Sequence, residues 1–225
     1  MPNISRRSLR TKFAFGAAIL ALSASSHRAI FATEPRYPNH HDLAVVMNDA
    51  GQPQPIKTVA DWERRRAHVL RAMQVVMGKL PGDEKRAPLD VKTLEESAVD
   101  ALVRRKIEYQ TAPHDRVRAY LFLPAGSGDG TRRPAVLCLH QTTNIGKQEP
   151  AGLGGNPNLH YALHLAQRGY VTLAPDYPSF GEHAFDFEDA KFGYTSGSMK
   201  AIWNNIRAVD LLQSLAQVDG ERIGC

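Results

Sequence analysis

Read from the N-terminus, apolar positions first gather in a short block over residues 13–22, between a basic stretch and a run of small residues. No periodicity follows through residues 33–57. That stretch is rich in Pro, Asn, His and Gln and reads as an extended lead-in. A helical period then begins. Trp62, Val69, Met73, Val76 and Met77 fall on one face, which predicts a helix over residues 58–78. Thr58 or Asp61 is suited to cap it, because a short side-chain oxygen accepts from the first unpaired amides. Gly78 is a natural C-terminal stop, and Pro81 ends the segment. The pattern predicts a helix packed on a core through Trp62, with Arg64, Arg65, Arg66 and Arg71 in solvent.

From Val103 the period shortens. Residues 103–111 and 117–123 read as strands separated by the turn residues Pro113, His114 and Asp115. Residues 135–139 form a continuous apolar run, as in a parallel strand buried on both faces. A helix is expected over 158–168, closed by Gly169, and another buried strand over 170–174. A long helix should cover 198–216, with Ile202, Ile206, Val209 and Leu212 toward the core. A further strand opens at Arg222. A hairpin followed by strand–helix alternation predicts an α/β sheet whose last three strands run parallel through right-handed crossovers. A doubly wound nucleotide-binding fold shares this alternation. It would carry Gly-x-Gly-x-x-Gly after the first buried strand. The loop there begins His140, Gln141, Thr142, Thr143, which excludes it.

Composition changes little, and charge changes one thing. The 225 residues are 43% hydrophobic and 23% charged, ordinary for a globular chain. The formal charge of +5 comes entirely from Arg6, Arg7, Arg10, Lys12 and Arg28, since residues 1–32 hold no acid. The rest is formally neutral, so no nucleic-acid partner is expected. The basic, apolar, small-residue order of residues 1–32 is that of an export signal, cleaved after Ala32 or near Ala24. Its apolar run is too short for a stable membrane span, which needs about 20 residues. Ser5, Arg6 and Arg7 resemble a twin-arginine signal. Leu9 stands where that motif favours Phe, so a Sec signal fits as well.

Metal and cofactor chemistry finds no support in the pattern, and none is expected. Cys138 and Cys225 are the two cysteines, both in strand-like apolar runs, and are expected as buried free thiols. His160 and His164 share a helix face, but no His-Glu-x-x-His pattern or third ligand accompanies them.

Four segments carry a family resemblance. Leu139, His140, Gln141 and Thr142 are similar to the strand-three exit of α/β-hydrolases, where His-Gly-x is common. The run from Leu173 to Asp176, with Gly181, Glu182 and His183 after it, is similar to their strand-four exit. The run from Glu221 to Cys225 resembles the strand leading into the nucleophile elbow. Trp62 to Arg65, with Gly78 to Pro81, resembles the helix before the sheet in dienelactone-hydrolase-like and acetyl-xylan-esterase-like members. Their order over residues 58–225 resembles the N-terminal portion of the α/β-hydrolase superfamily. The implied fold is α/β, the N-terminal part of an α/β-hydrolase: a mostly parallel sheet with flanking helices, truncated before the nucleophile elbow.

That resemblance implies acyl transfer, which needs a nucleophile, a base and donors aimed at the developing oxyanion. In this fold the serine sits in Gly-x-Ser-x-Gly on a strand-to-helix turn. The sequence has no such motif. Gly197-Ser198 lacks the second glycine and opens a helix. The serine, acid and histidine are therefore expected beyond Cys225, the serine roughly four residues on. The resemblance assigns one oxyanion donor to the backbone N–H of Thr142, with Gln141 as fallback. Gln141 stands where the family has glycine, which leaves the loop geometry open. Tyr177 and Phe180 either line an acyl pocket or pack the loop. Asp176 is expected to fix that loop, and Glu182–His183 is too local for a triad pair. Two functions remain. One is an exported serine hydrolase acting on carboxylic esters, small molecules or acetylated or uronoylated polysaccharide. The other is a non-catalytic truncated hydrolase or binding module. A peptidase of the same fold is a variant of the first.

Overall fold

The computed structural model describes residues 35–188 and 193–225. The expected export signal lies outside the described residues. Within the lead-in, β1 (Val45–Met47) and β2 (Pro53–Pro55) pair as a small antiparallel hairpin. Helix α1 (Val59–Met77) follows, and both candidate caps are used. Thr58 Oγ1 accepts from Asp61 N at 3.1 Å, while Asp61 Oδ2 accepts from Thr58 N at 3.0 Å. This reciprocal capping box satisfies two helix-start donors at once.

What α1 packs against departs from expectation. None of its residues is buried; Trp62 is 51% exposed and Val76 83%. Both sheet faces are taken by other helices. Instead α1 is tied laterally, through Tyr37 Oη and His68 Nδ1 at 2.6 Å and through Ser196 Oγ on the Met77 carbonyl at 2.6 Å. Helical periodicity reports that a face is apolar, not which surface meets it.

The main sheet contains β3 (Lys92–Val99), β4 (Leu102–Ala112), β5 (Asp115–Pro124), β6 (Arg133–Leu137), β7 (Val171–Pro175) and β8 (Val218–Gly224). Their order is β3-β4-β5-β7-β6-β8. β3, β4, β5 and β7 pair antiparallel, whereas β7, β6 and β8 run parallel. The three parallel strands are the three expected, within a sheet that is mixed. β3 carries no apolar alternation because it is an exposed edge. Its Glu95 and Glu96 pair with Lys106 and Arg105, the charged decoration that discourages edge association.

Two helices sandwich this sheet. Ile107, Tyr109, Val117, Leu121, Leu137 and Leu173 meet Ala208, Leu211 and Leu212 of α3 (Gly197–Ser214). On the other face, Tyr120, Phe122, Cys138 and Ala174 meet Ala162 and Ala166 of α2 (Tyr161–Gln167). The buried face of α3 is rotated from the expected one. Met199, Lys200, Trp203, Asn204, Arg207, Ala208, Leu211 and Leu212 are buried, so of the four expected residues only Leu212 belongs to it. The polar members hid this face from a hydrophobic pattern. Each has a partner: Trp203 Nε1 donates to Thr111 O at 2.8 Å, and Arg207 bonds Asp210 at 2.6 Å. Ile202, Ile206 and Val209 instead line a groove of about 360 Å³ with Leu137, Leu139 and Cys225. Cys138 is buried as expected, but Cys225 is exposed. Cys225 lies in the groove beside Leu137 and Cys138 packs toward α2, so the two thiols sit on opposite sheet faces.

Candidate active site

Three loops converge at the C-terminal ends of β6 and β7, beside the exit of β8. The first tie is His140, buried just past β6. Its Nε2 accepts from the Tyr177 N–H at 3.0 Å, and its Nδ1 lies 2.7 Å from the Gln141 carbonyl. An amide N–H can only donate and a carbonyl can only accept. The ring is therefore the neutral Nδ1–H tautomer, locked between the β6 and β7 exits. Tyr177 and Phe180 stand edge-on to it, with ring centroids 4.9 and 5.8 Å away. Of the expected site residues, Gln141, Tyr177 and Phe180 are thus gathered around His140. Thr142 follows at the exposed mouth.

Gln141 has a specific accommodation where the family pattern has glycine. Its side-chain amide donates to the buried Glu149 carboxylate, whose other oxygen accepts from Asn156 N at 2.9 Å. The side chain is turned back into its own loop, away from the strand end. Gly155 completes that nest: at φ +72° it passes so close to Glu149 that a Cβ would collide with it.

The second tie is ionic. Asp176 accepts from Lys147 N at 2.8 Å, Lys147 Nζ at 2.6 Å and Glu182 N at 2.9 Å. Lys147 is fully buried and also bonds Glu182 at 2.5 Å. Partial burial would raise the Glu182 carboxyl, but hydrogen bonds from Lys147 and Lys106 outweigh it and hold the group at about 2. Gly181, at φ +57°, packs on the same carboxylate too closely for any side chain.

A third cluster lies on the α3 side. Lys200 Nζ is 2.5 Å from Asp115 Oδ2, which also accepts from Thr111 Oγ1. His183 Nε2 sits 3.8 Å from Asp115 Oδ1. Burial, then the charge of Lys200, pushes the imidazole down to about 4, so it is neutral near pH 7. Glu182 and His183 make their contacts in separate clusters. His160 Nε2 is engaged with the Gly154 carbonyl at 3.0 Å. Among the described residues, no group of His, Cys, Asp and Glu has the arrangement of a metal site.

Lys147, Glu149, Asp115 and Lys200 were not legible as site residues. A buried charge in a loop has no period, and its partner is distant in sequence. The clustered glycines around residues 146–155 were the one available hint of a tightly wrapped loop.

The Abhydrolase family model matches residues 41–203. The chain belongs to the Abhydrolase family. This match starts inside the lead-in, so the β1–β2 hairpin is part of it. Among solved structures, a glucuronoyl esterase from Solibacter usitatus aligns with TM-score 0.59 at 17% identity, over 86% of this chain and 58% of that one. A protein from Bacteroides fragilis assigned as an acetyl xylan esterase gives 0.58 at 19%, over 73% and 47%. A promiscuous CE15 esterase from the marine bacterial metagenome gives 0.50 at 17%, over 81% and 55%. This Abhydrolase-family chain spans about half the length of the structures it matches. No curated protein matches it. The likeness shows an α/β-hydrolase fold. No helix among the described residues is long and apolar enough to cross a membrane.

Proposed function

We propose that this chain contributes the oxyanion-binding half of an exported serine hydrolase acting on carboxylic esters, with acetylated or uronoylated polysaccharide as the substrate class. One observation carries this. β8 runs parallel to β6, with Val136 opposite Gly224, so β8 leads out beside Leu139 and the loop that His140 fixes. A serine on a turn after β8 would face the Thr142 N–H across that crevice. Substrate would enter over Tyr177 and Phe180. Its carbonyl oxygen, on becoming an oxyanion, would take the N–H of Thr142, or of Gln141, while the serine oxygen forms the acyl bond. The acid and histidine of the triad would likewise follow β8. The esterases among the aligned structures support this substrate class, and the residues 1–32 pattern supports export.

The 225 residues contain no Gly-x-Ser-x-Gly, and we propose that alone they are inactive. A fluorophosphonate label and a p-nitrophenyl acetate panel test both statements. The expected outcome is no turnover and no labelling from these residues alone, with one labelled serine after β8 in a longer gene product. Stoichiometric labelling of a serine within residues 33–225 would sink the proposal. For export, N-terminal sequencing of the protein recovered outside the cytoplasm should find residues 1–32 removed; an intact Met1 or Pro2 there would count against it.

A further inference from the structure

Two lysines at the strand ends are fully buried, Lys147 and Lys200. A buried ammonium is costly and is tolerated only beside a carboxylate, which each has: Asp176 for Lys147, Asp115 for Lys200. They lie on opposite sides of the sheet. Lys147 sits 5.5 Å from the ring of Tyr120, a member of the α2-side core. Lys200 belongs to α3, one turn before Trp203. Two consecutive residues of the β7-exit loop reach one cluster each. Glu182 takes the Lys147 ammonium. His183 faces Asp115 and stacks edge-on with Phe185, whose ring lies 5.0 Å from Lys200 Nζ.

We infer that Lys147 and Lys200 are positioning residues that clamp the β7-exit loop from both sides of the sheet, through Glu182 and His183, and so set Tyr177, Phe180 and the Gln141–Thr142 turn. The loop transmits the constraint because it is closed on itself. Ser179 N donates to His183 O at 2.8 Å, His183 N to Phe180 O at 3.0 Å, and Phe180 N to Tyr177 O at 3.0 Å. Ser179 holds φ +70°, a conformation that a non-glycine residue keeps only when its surroundings impose it. Tyr177 N then fixes His140, and His140 fixes the Gln141 carbonyl. Buried ion pairs contribute little net stability compared with apolar residues of the same shape. What they do impose is geometry, because a buried charge has few places to go.

The consequence for turnover rests on the ester-hydrolase proposal; the clamp does not. The test uses Glu182→Gln, Lys147→Met and Lys200→Met, with residue-resolved amide hydrogen exchange as the first readout. In Glu182→Gln, which leaves the Lys147–Asp176 pair in place, the amides of Tyr177, Phe180, Glu182 and His183 should exchange at least roughly tenfold faster, with β4 and β5 nearly unchanged; in Lys147→Met the rise in the loop should exceed any rise in β4 and β5. Lys200→Met should do the same at His183 first. If Lys147→Met fails to fold, Glu182→Gln decides, since its carboxamide keeps the shape of a partly exposed group. Loop amides that exchange as in the unaltered chain would overturn the clamp. So would a rise in β4 and β5 as large as that in the loop, since the lysines would then hold the fold and not the loop. The second readout is p-nitrophenyl acetate turnover in a chain carrying the serine. There kcat should fall on the order of tenfold with KM nearly unchanged, the mark of a misplaced transition-state donor. Faster loop exchange in the variants, with no turnover even in the otherwise unsubstituted chain carrying the serine, would keep the clamp and discard the ester-hydrolase proposal.

Discussion

The antiparallel ladder and the strand ends around the β7 exit use charge in opposite ways. Across β3, β4 and β5, ion pairs lie along the surface: Arg105 with Glu96 at 2.6 Å, Arg116 with Glu108 at 2.8 Å, Lys106 with Glu95 at 3.3 Å. Each links neighbouring strands and is at least partly open to solvent. At the strand ends around the β7 exit, Lys147–Asp176 and Lys200–Asp115, the latter at the first residue of β5, join segments remote in sequence and exclude solvent. Exposed pairs typically contribute well under about 1 kcal/mol each, whereas removing one partner of a buried pair costs about 3–5 kcal/mol. The outer antiparallel ladder is thus tolerant, and the strand ends around the β7 exit are an intolerant site.

The largest expected effect is at the proposed oxyanion donor. In a chain that carries the serine, Thr142→Pro removes one N–H and should lower turnover on the order of a hundredfold or more. Circular dichroism must show that the loop change has not unfolded the protein. A folded variant with undiminished turnover would remove Thr142 from the mechanism.

Next comes the close approach at Gly181. An alanine there must hold a positive φ and push its Cβ into the Asp176 carboxylate. Gly181→Ala should cost about 2–4 kcal/mol in denaturant unfolding. A loss below about 0.5 kcal/mol would show that the Asp176 nest yields easily and that the strand ends are less rigid than their packing implies.

An acid titration sharpens the contrast further. His183 is held at about 4, below its ordinary 6.5, by burial and by Lys200 and Lys147, against the pull of Asp115 and Asp176. Below pH 6.5 the unfolded chain takes up a proton that the fold refuses. Stability should therefore fall between pH 6.5 and 4, by on the order of 2–3 kcal/mol, and be flat above pH 7 as far as this group is concerned. Glu182 acts in a lower window. Its carboxyl is held at about 2, so its contribution is present above about pH 4.5 and is lost as pH falls toward 2. His183→Asn should erase the first window and leave the second. Persistence of the first loss in that variant would assign it to another group.

The same contrast decides what could be read from the sequence. The buried parallel strands and their neighbours announced themselves as apolar runs, and the order of elements followed from alternation alone. Trp62 misled because an apolar stripe does not name its partner. On α3, Lys200, Asn204 and Arg207 point inward beside Trp203, so the true buried face is partly polar and the pattern selected a neighbouring stripe. β3 was invisible because an edge strand is charged for the reason that makes it an edge. At the site, His140, Tyr177 and Phe180 were legible only as motif residues. The locks that gather them, Lys147 and Glu149, are single polar residues in a glycine-rich loop whose partners lie elsewhere in the chain or around a turn. Tertiary pairing of that kind leaves no local signal.

The smallest effect tests the other end of the comparison. Arg105 joins β4 to Glu96 on the edge strand β3, and both side chains are more than a third exposed. Water competes for each partner, and two long side chains must be ordered to form the pair. Arg105→Ala should therefore change stability by no more than about 0.5 kcal/mol, and less still at high salt, where exposed pairs are screened. Lys106→Ala on the same strand is the sharper companion. Lys106 is the more buried of the two and reaches both Glu95 and Glu182, the latter at 2.9 Å. It is where the surface ladder touches the buried cluster. Partial burial lowers its pKa, but the Glu182 hydrogen bond outweighs this and raises it. Lys106→Ala should cost more than Arg105→Ala and should relax the Glu182 carboxyl upward, which carboxyl NMR titration would read directly. Equal costs for the two, with Glu182 unmoved, would mean that the ladder and the site are independent and that the tolerant ladder ends at β4.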